Sequence, residues 1–240
     1  MKRSTPSYKK HLKELKINNV TNFYITPNHN QKMNYYLSSY KFGDHIEALK
    51  DLIPDNNKIG YISNAGDWVG HDVQRLSQRI TEEMAFLDTL GYRSEHLDLK
   101  TYFGKQNALK EKLDNLGGVW ICGGNTFVLR QAMKLSGFDQ LFSQLPSRKD
   151  FLYSGYSAGV CVLCDNLKPI DQVDDPFNFP YKGIDKPIYD GLGVFNYTIL
   201  PHYKSHHFES EAIGKEVQRC IANKWPYKTL RDGEVIIIKE

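Results

Sequence analysis

Short apolar runs rich in β-branched and aromatic residues alternate along the chain with longer stretches of helical period. This pattern belongs to a mostly parallel sheet with helices on its faces, so the expected class is α/β. Strands are predicted at Asn22–Thr26, Lys58–Asn64, Arg93–Leu99, Val119–Cys122, Phe151–Gly155, Asn196–Leu200 and Glu234–Lys239. Helices are predicted at Asp44–Leu52, Asp72–Leu90, Asn107–Leu116, Thr126–Leu135, Phe138–Gln144, Ala158–Cys164 and Glu209–Ala222. In the second helix Val73, Leu76, Ile80, Met84 and Leu87 recur at spacings of three and four, which directs one face at the sheet. From Asp165 to Leu192 the periodicity disappears, and Pro169, Pro176, Pro180 and Pro187 accumulate among acids and aromatics. A long irregular segment inside a compact domain is usually functional or mobile.

The chain has 240 residues, enough for one sizeable core, and a single domain over 1–240 is the expectation. No apolar run approaches the roughly 18 residues that span a bilayer, and the start, Met1-Lys2-Arg3-Ser4, lacks the apolar stretch of a signal peptide; a cytoplasmic location is expected, with no membrane association. Cys122, Cys161, Cys164 and Cys220 lie in or beside apolar segments and are read as free core thiols. Formal charge is only +3, with bases dispersed among acids except in a basic N-terminal extension of about residues 1–17. Only Tyr8 stands among those charges, with no run of aromatics interleaved, so a solvated arm is favoured over a nucleic-acid contact.

The strongest chemical signal follows the apolar run Phe151-Leu152-Tyr153-Ser154, which leads directly into Gly155-Tyr156-Ser157-Ala158-Gly159 and then a helical stretch. A serine on a sharp strand-to-helix turn needs small residues two before and two after it, because any side chain there would crowd the turn. Ser157 is thereby a candidate nucleophile. Upstream, Val119-Trp120-Ile121-Cys122 ends in Gly123-Gly124-Asn125-Thr126-Phe127. Backbone N–H groups of Gly123, Gly124 and Asn125 could line an oxyanion hole with that of Ala158. A phosphate loop is the rival reading, but no Gly-Lys-Ser/Thr ending and no Gly-x-Gly-x-x-Gly is present.

A serine needs a base, and of eight histidines His202 stands out, emerging after Tyr197-Thr198-Ile199-Leu200-Pro201 at a strand end. His206 and His207 follow on a loop, exposed or in contact with substrate. A metal reading of the three is disfavoured, since no His-Glu-x-x-His or comparable partner motif appears. Cys161-x-x-Cys164 has half-site spacing but no second pair, which favours core packing.

Trp120-Ile121-Cys122-Gly123-Gly124-Asn125-Thr126-Phe127, Gly155-Tyr156-Ser157-Ala158-Gly159 and Leu200-Pro201-His202-Tyr203 resemble, in order and spacing, three signatures of the dipeptidase E family, aspartyl dipeptidases related to cyanophycinases. The resemblance runs from roughly Lys58 to the C-terminus; the first 40 or so residues look unlike the family's short start. It implies a three-layer sandwich of the glutamine-amidotransferase-like (flavodoxin-like) kind and a Ser–His–acid mechanism without metal or cofactor. It also implies hydrolysis after an N-terminal Asp, through an acyl-enzyme. Carried over by motif, Ser157 is the nucleophile and His202 the general base. The acid is either Asp232, in Leu230-Arg231-Asp232-Gly233 just before a strand, or Asp171 in the loop after the nucleophile helix, with Asp174 and Asp175 close behind. Asp232 is slightly preferred for its rigid position.

One departure concerns specificity. The Asp-selective enzymes carry an Arg after the histidine, whereas here Phe208-Glu209-Ser210-Glu211-Ala212 is acidic. A pocket selecting a carboxylate needs a cation, which Lys204, Arg219 or a partner subunit would have to supply. The competing readings are a non-catalytic binder of small ligands on the same fold and a hydrolase of non-peptide amides or esters. The expected partner is a small peptide substrate; the oligomeric state, a homodimer included, stays open.

Overall fold

The computed structural model describes residues 33–145, 148 and 150–239. The strand expected at Asn22–Thr26 and the basic stretch of about 1–17 lie outside the described residues. Six strands form the main sheet: β1 (Asn34–Ser38), β2 (Lys58–Ile62), β3 (Arg93–His96), β4 (Gly118–Ile121), β5 (Leu152–Tyr156) and β8 (Val235–Ile238), in the order β3-β2-β4-β5-β1-β8. The first five run parallel, and β8 closes one edge antiparallel to β1, with Ser38 opposite Val235. Two further parallel strands, β6 (Thr198–Leu200) and β7 (Tyr227–Thr229), pair separately.

Parallel strands covered on both faces read as continuous apolar runs rather than alternating ones, which is why Val119-Trp120-Ile121 and Leu152-Tyr153 were legible. Successive residues still point to opposite faces. Tyr35, Leu37, Val119, Ile121 and Tyr153 enter one core with Leu109 of α3 (Gln106–Asp114), Val128 and Met133 of α4 (Thr126–Ser136) and Phe138 of α5 (Phe138–Phe142). Tyr36, Tyr61, Trp120, Leu152 and Tyr156 enter the other with Leu49 of α1 (Ile46–Lys50) and Leu87 of α2 (Val73–Thr89). The three-layer α/β arrangement follows.

Asp72 caps α2, its side chain accepting the N–H groups of Gln74 and Arg75. The apolar face expected on α2 holds from Leu76 to Leu87, but Val73 is 67% exposed, and the face also buries Glu83 at 4% exposure. Helix α6 (Ala158–Cys161) is a single turn, shorter than the expected Ala158–Cys164. The last helix, α7 (Ser210–Asn223), sets Ile213, Val217 and Cys220 against Leu200 and Phe127. The irregular stretch after Asp165 holds only a 3-10 turn at Lys168–Ile170 and one isolated bridge, Asn166 to Asp190, with a second bridge, Cys164 to Phe195, flanking it. It is stitched over the start of α4: Asn125 Nδ2 donates to Asp175 O (2.9 Å), and Gln131 Nε2 to Asn178 O (2.8 Å). Among the described residues no helix is long and apolar enough to cross a membrane.

Candidate active site

Ser157 sits between β5 and α6 with φ 50° and ψ −114°, a left-handed conformation that costs a non-glycine residue roughly 1–3 kcal/mol. The neighbouring glycines explain how the turn is accommodated. A Cβ on Gly155 or on Gly159 would strike the same atom, the carbonyl oxygen of Ile121 on adjacent β4. Both sides of the turn are therefore pressed onto one strand, and Ser157 alone in the pentapeptide remains partly exposed. Its N–H donates to Ser38 O at the end of β1 (3.3 Å). Behind it, the hydroxyls of Tyr156 and Tyr61 donate to the two oxygens of buried Glu83 (2.8 and 2.7 Å). Burial pushes the Glu83 carboxyl up, against the pull of those two hydroxyls.

The Gly-Gly loop abuts the serine: a Cβ on Gly123 would lie 3.0 Å from Ser157 Cβ and 2.8 Å from the Tyr156 ring. Gly124, at φ 141°, approaches the Ala65 carbonyl too closely for any side chain. Among the described residues no backbone acceptor takes the N–H of Gly123, Gly124 or Ala158. Asn125 is engaged otherwise. Its N–H donates to Ala65 O (2.8 Å), and its side chain caps α4 by accepting the Val128 N–H (3.0 Å).

His202 follows β6 at φ 61° and is 1% exposed. Its Nδ1 lies 2.7 Å from Asp232 Oδ1 and its Nε2 3.1 Å from Ser157 Oγ. A carboxylate only accepts, so Nδ1 carries the proton, and the Nε2 lone pair is left to accept the Ser157 hydroxyl. Strands β6 and β7 bring the pair together: Leu230 N–H donates to Leu200 O (3.0 Å) and Tyr203 N–H to Leu230 O (2.9 Å), which fixes the histidine loop beside the loop of Asp232. Ser39, one residue beyond β1, ties them further. Its Oγ accepts the His202 N–H (2.8 Å) and donates to Asp232 Oδ1 (2.9 Å). Asp232 N–H donates to Ser205 Oγ (2.8 Å). Burial holds the His202 imidazole down to about 4, although the bond to Asp232 pulls the other way.

Asp171 is not brought to this group. Its carboxylate pairs with Lys168 Nζ (2.6 Å) and Arg219 Nη1 (2.7 Å). Burial would raise its pKa, but the hydrogen bonds from Lys168 and Arg219 hold it below the ordinary range. Arg219 also pairs with Glu216 (3.0 Å), and Lys204 is exposed, with its Nζ over the Tyr203 ring. The Ser39 link was missed in the sequence because β1 was not predicted; the apolar run Tyr35-Tyr36-Leu37 was the available signal.

His207 stacks on His202, ring centroids 3.7 Å apart and planes 12° apart, and Glu209 Oε2 lies 3.8 Å from His202 Nε2 and 3.6 Å from His207 Nδ1. These three groups are close enough to hold a metal ion. In nearly parallel stacked rings, however, the in-plane lone pairs run side by side rather than meeting at one point. As arranged they do not form a chelating set. Cys161 and Cys164 are buried in the core.

Residues 35–240 match the family model described as peptidase family S51. The chain belongs to peptidase family S51, the dipeptidase E family. As an S51 member it is a peptidase. It is similar to an "uncharacterized peptidase" of Listeria monocytogenes, 29% identical over 154 residues covering 64% of this chain and 70% of that protein. An "uncharacterized peptidase" of Pasteurella multocida is 23% identical over 202 residues, covering 82% and 89%. In fold the S51 chain is similar to the crystal structure of a "Putative Peptidase E Protein" from Listeria monocytogenes, with TM-score 0.65 and 23% identity over 87% of this chain and 98% of that one. A peptidase from an acI-B1 actinobacterium has TM-score 0.61 and 16% identity, covering 86% and 83%.

Proposed function

We propose that this S51 peptidase is a serine enzyme that hydrolyses small peptides, dipeptides foremost, through an acyl-enzyme. The observation that carries the reading is the unbroken line from Asp232 through His202 to Ser157, at 2.7 and 3.1 Å, on a serine whose backbone is held at positive φ. The Ser157 hydroxyl gives its proton to Nε2 of His202 as Oγ bonds to the substrate carbonyl carbon. Asp232 keeps the ring in the tautomer that accepts this proton and stabilises the imidazolium that forms. The oxyanion is received by the N–H of Ala158 together with those of Gly123 and Gly124; Asn125, whose N–H is already bonded to Ala65 O, takes no part. Collapse breaks the C–N bond, and His202 returns the proton to the leaving amine. Water, deprotonated by the same imidazole, then releases the acid and restores Ser157. Asp171 has a structural task, joining the turn before it to α7 through Arg219.

Hydrolysis of a panel of dipeptides and aryl esters by wild type and Ser157→Ala tests this. The expected result is turnover of dipeptides by the wild type that falls by about 10³-fold or more in the variant. Equal rates for the two proteins on every substrate would sink the serine mechanism, and turnover of esters alone would move the assignment to a non-peptide hydrolase.

A further inference from the structure

A small cavity opens directly beside the nucleophile. Ser157 forms part of its wall, Ile170, Val173 and Ile213 supply apolar surface, and two carboxylates, Asp174 and Glu209, complete the lining. Each acid is carried by a fixed element. Glu209 stands at the N-terminal end of α7, where it makes no side-chain cap. Asp174 Oδ2 accepts the N–H of Thr126 (2.8 Å) at the start of α4, so the same loop that meets Ser157 also holds this acid. Among the described residues no Lys or Arg lines the cavity. The basic groups nearby are committed elsewhere: Arg219 to Asp171 and Glu216, Lys168 to Asp171.

The bases that face Glu209, His202 at 3.8 Å and His207 at 3.6 Å, are both held towards the neutral form by burial, so two acids in this partly buried, apolar-walled space are costly to ionise unless a ligand supplies the positive charge. Burial, with the charge of Asp174 next, raises the Glu209 carboxyl to about 8, and burial raises that of Asp174 to about 6. Resting on the peptidase reading, we propose that this cavity is the subsite for an ammonium group on the acyl side of the substrate, held between Asp174 and Glu209. An N-terminal Asp side chain is then rejected rather than selected. The ammonium can come from the α-amino group of an N-terminal residue or from a basic side chain, and a carboxylate entering the same space would be desolvated beside two acids, with no Lys or Arg among the described residues lining it to pair with.

The test is calorimetric binding to the Ser157→Ala protein, which keeps both acids and does not depend on turnover. Ala-Leu against N-acetyl-Ala-Leu probes the α-ammonium; Lys-Leu against norleucyl-Leu probes a side-chain ammonium; Asp-Leu probes rejection. At least one of the first two pairs should differ by about tenfold or more in favour of the cation, Asp-Leu should bind more weakly than Ala-Leu, and adding Asp174→Asn and Glu209→Gln together should erase these ratios. Ratios near unity in both pairs, tighter binding of Asp-Leu than Ala-Leu, or ratios that survive the double substitution would overturn the assignment. Since binding is read without catalysis, loss of the serine mechanism and loss of this subsite give different results.

Discussion

His202 has one ring nitrogen committed to Asp232 and the other to Ser157, so the state of a single carboxylate decides whether the imidazole can accept a proton. Replacing Asp232 by Asn removes the charge and lets an amide N–H face Nδ1. The kcat should fall by about 10³–10⁴-fold. Asp171→Asn should leave kcat/KM nearly unchanged and instead lower stability by about 1–3 kcal/mol, because Arg219 and Lys168 lose their carboxylate. Steady-state kinetics with urea unfolding on both variants separates the two acids, and the reverse pattern would transfer the role to Asp171. Burial holds His202 neutral down to about 4, so under the proposed mechanism it can accept a proton through the range where an ordinary histidine would charge. The acid limb of kcat/KM should accordingly lie well below 6.5, towards 4; a limb at the ordinary histidine value would show that the ring is solvated in the working enzyme. Ser157 and His202 could be read from the sequence because their motifs are contiguous, whereas Ser39 could not, since it acts from a strand end 163 residues away from the histidine it supports.

The elbow is an element-scale device, the two sides of one turn pressed onto one strand. Helix propensity alone makes Gly159→Ala stabilising by about 0.5–1 kcal/mol. The Ile121 carbonyl occupies the space that a Cβ would need, so the expected sign is the opposite, a loss of about 1–3 kcal/mol by urea denaturation with the slope unchanged. A gain in stability would mean that β4 can shift away from the turn. Six strands overlap runs expected from the sequence, β2, β3, β4, β5, β6 and β8; β2, β4 and β5 are the clearest, because burial on both faces demands an apolar run, whereas β3 is largely exposed and was legible from its bounds alone. Two were not. The three residues of β7, Tyr227–Thr229, are only half-buried, and their pairing with β6 depends on α7 turning the chain back. The β1 run is only five residues long, and its place between β5 and β8 is a matter of topology.

For the whole molecule, His202 and Glu209 move stability in opposite pH directions. His202, with its folded pKa lowered from 6.5 to about 4, contributes stability that is present above 6.5 and lost as pH falls towards 4. Glu209, raised from 4.5 to about 8, contributes stability that is present below 4.5 and lost as pH rises towards 8. The slopes oppose one another between those two ordinary values, and from 6.5 to 8 the loss from Glu209 stands alone of the pair. Glu209→Gln should therefore gain about 2 kcal/mol on wild type between pH 6.5 and 8, read by urea unfolding at both pH values. An unchanged difference would show that the carboxyl is already ionised and solvated at neutral pH. By itself the sequence determined the α/β class, the strand-to-helix serine, the Gly-Gly loop and the histidine, because each of these depends on residues adjacent in the chain. Only the tertiary structure decided which acid meets His202, that Ser39 braces both, and that Asp174 and Glu209 share a wall with Ser157. Those relations join residues far apart in the chain, and they depend on which strand ends the sheet order sets side by side.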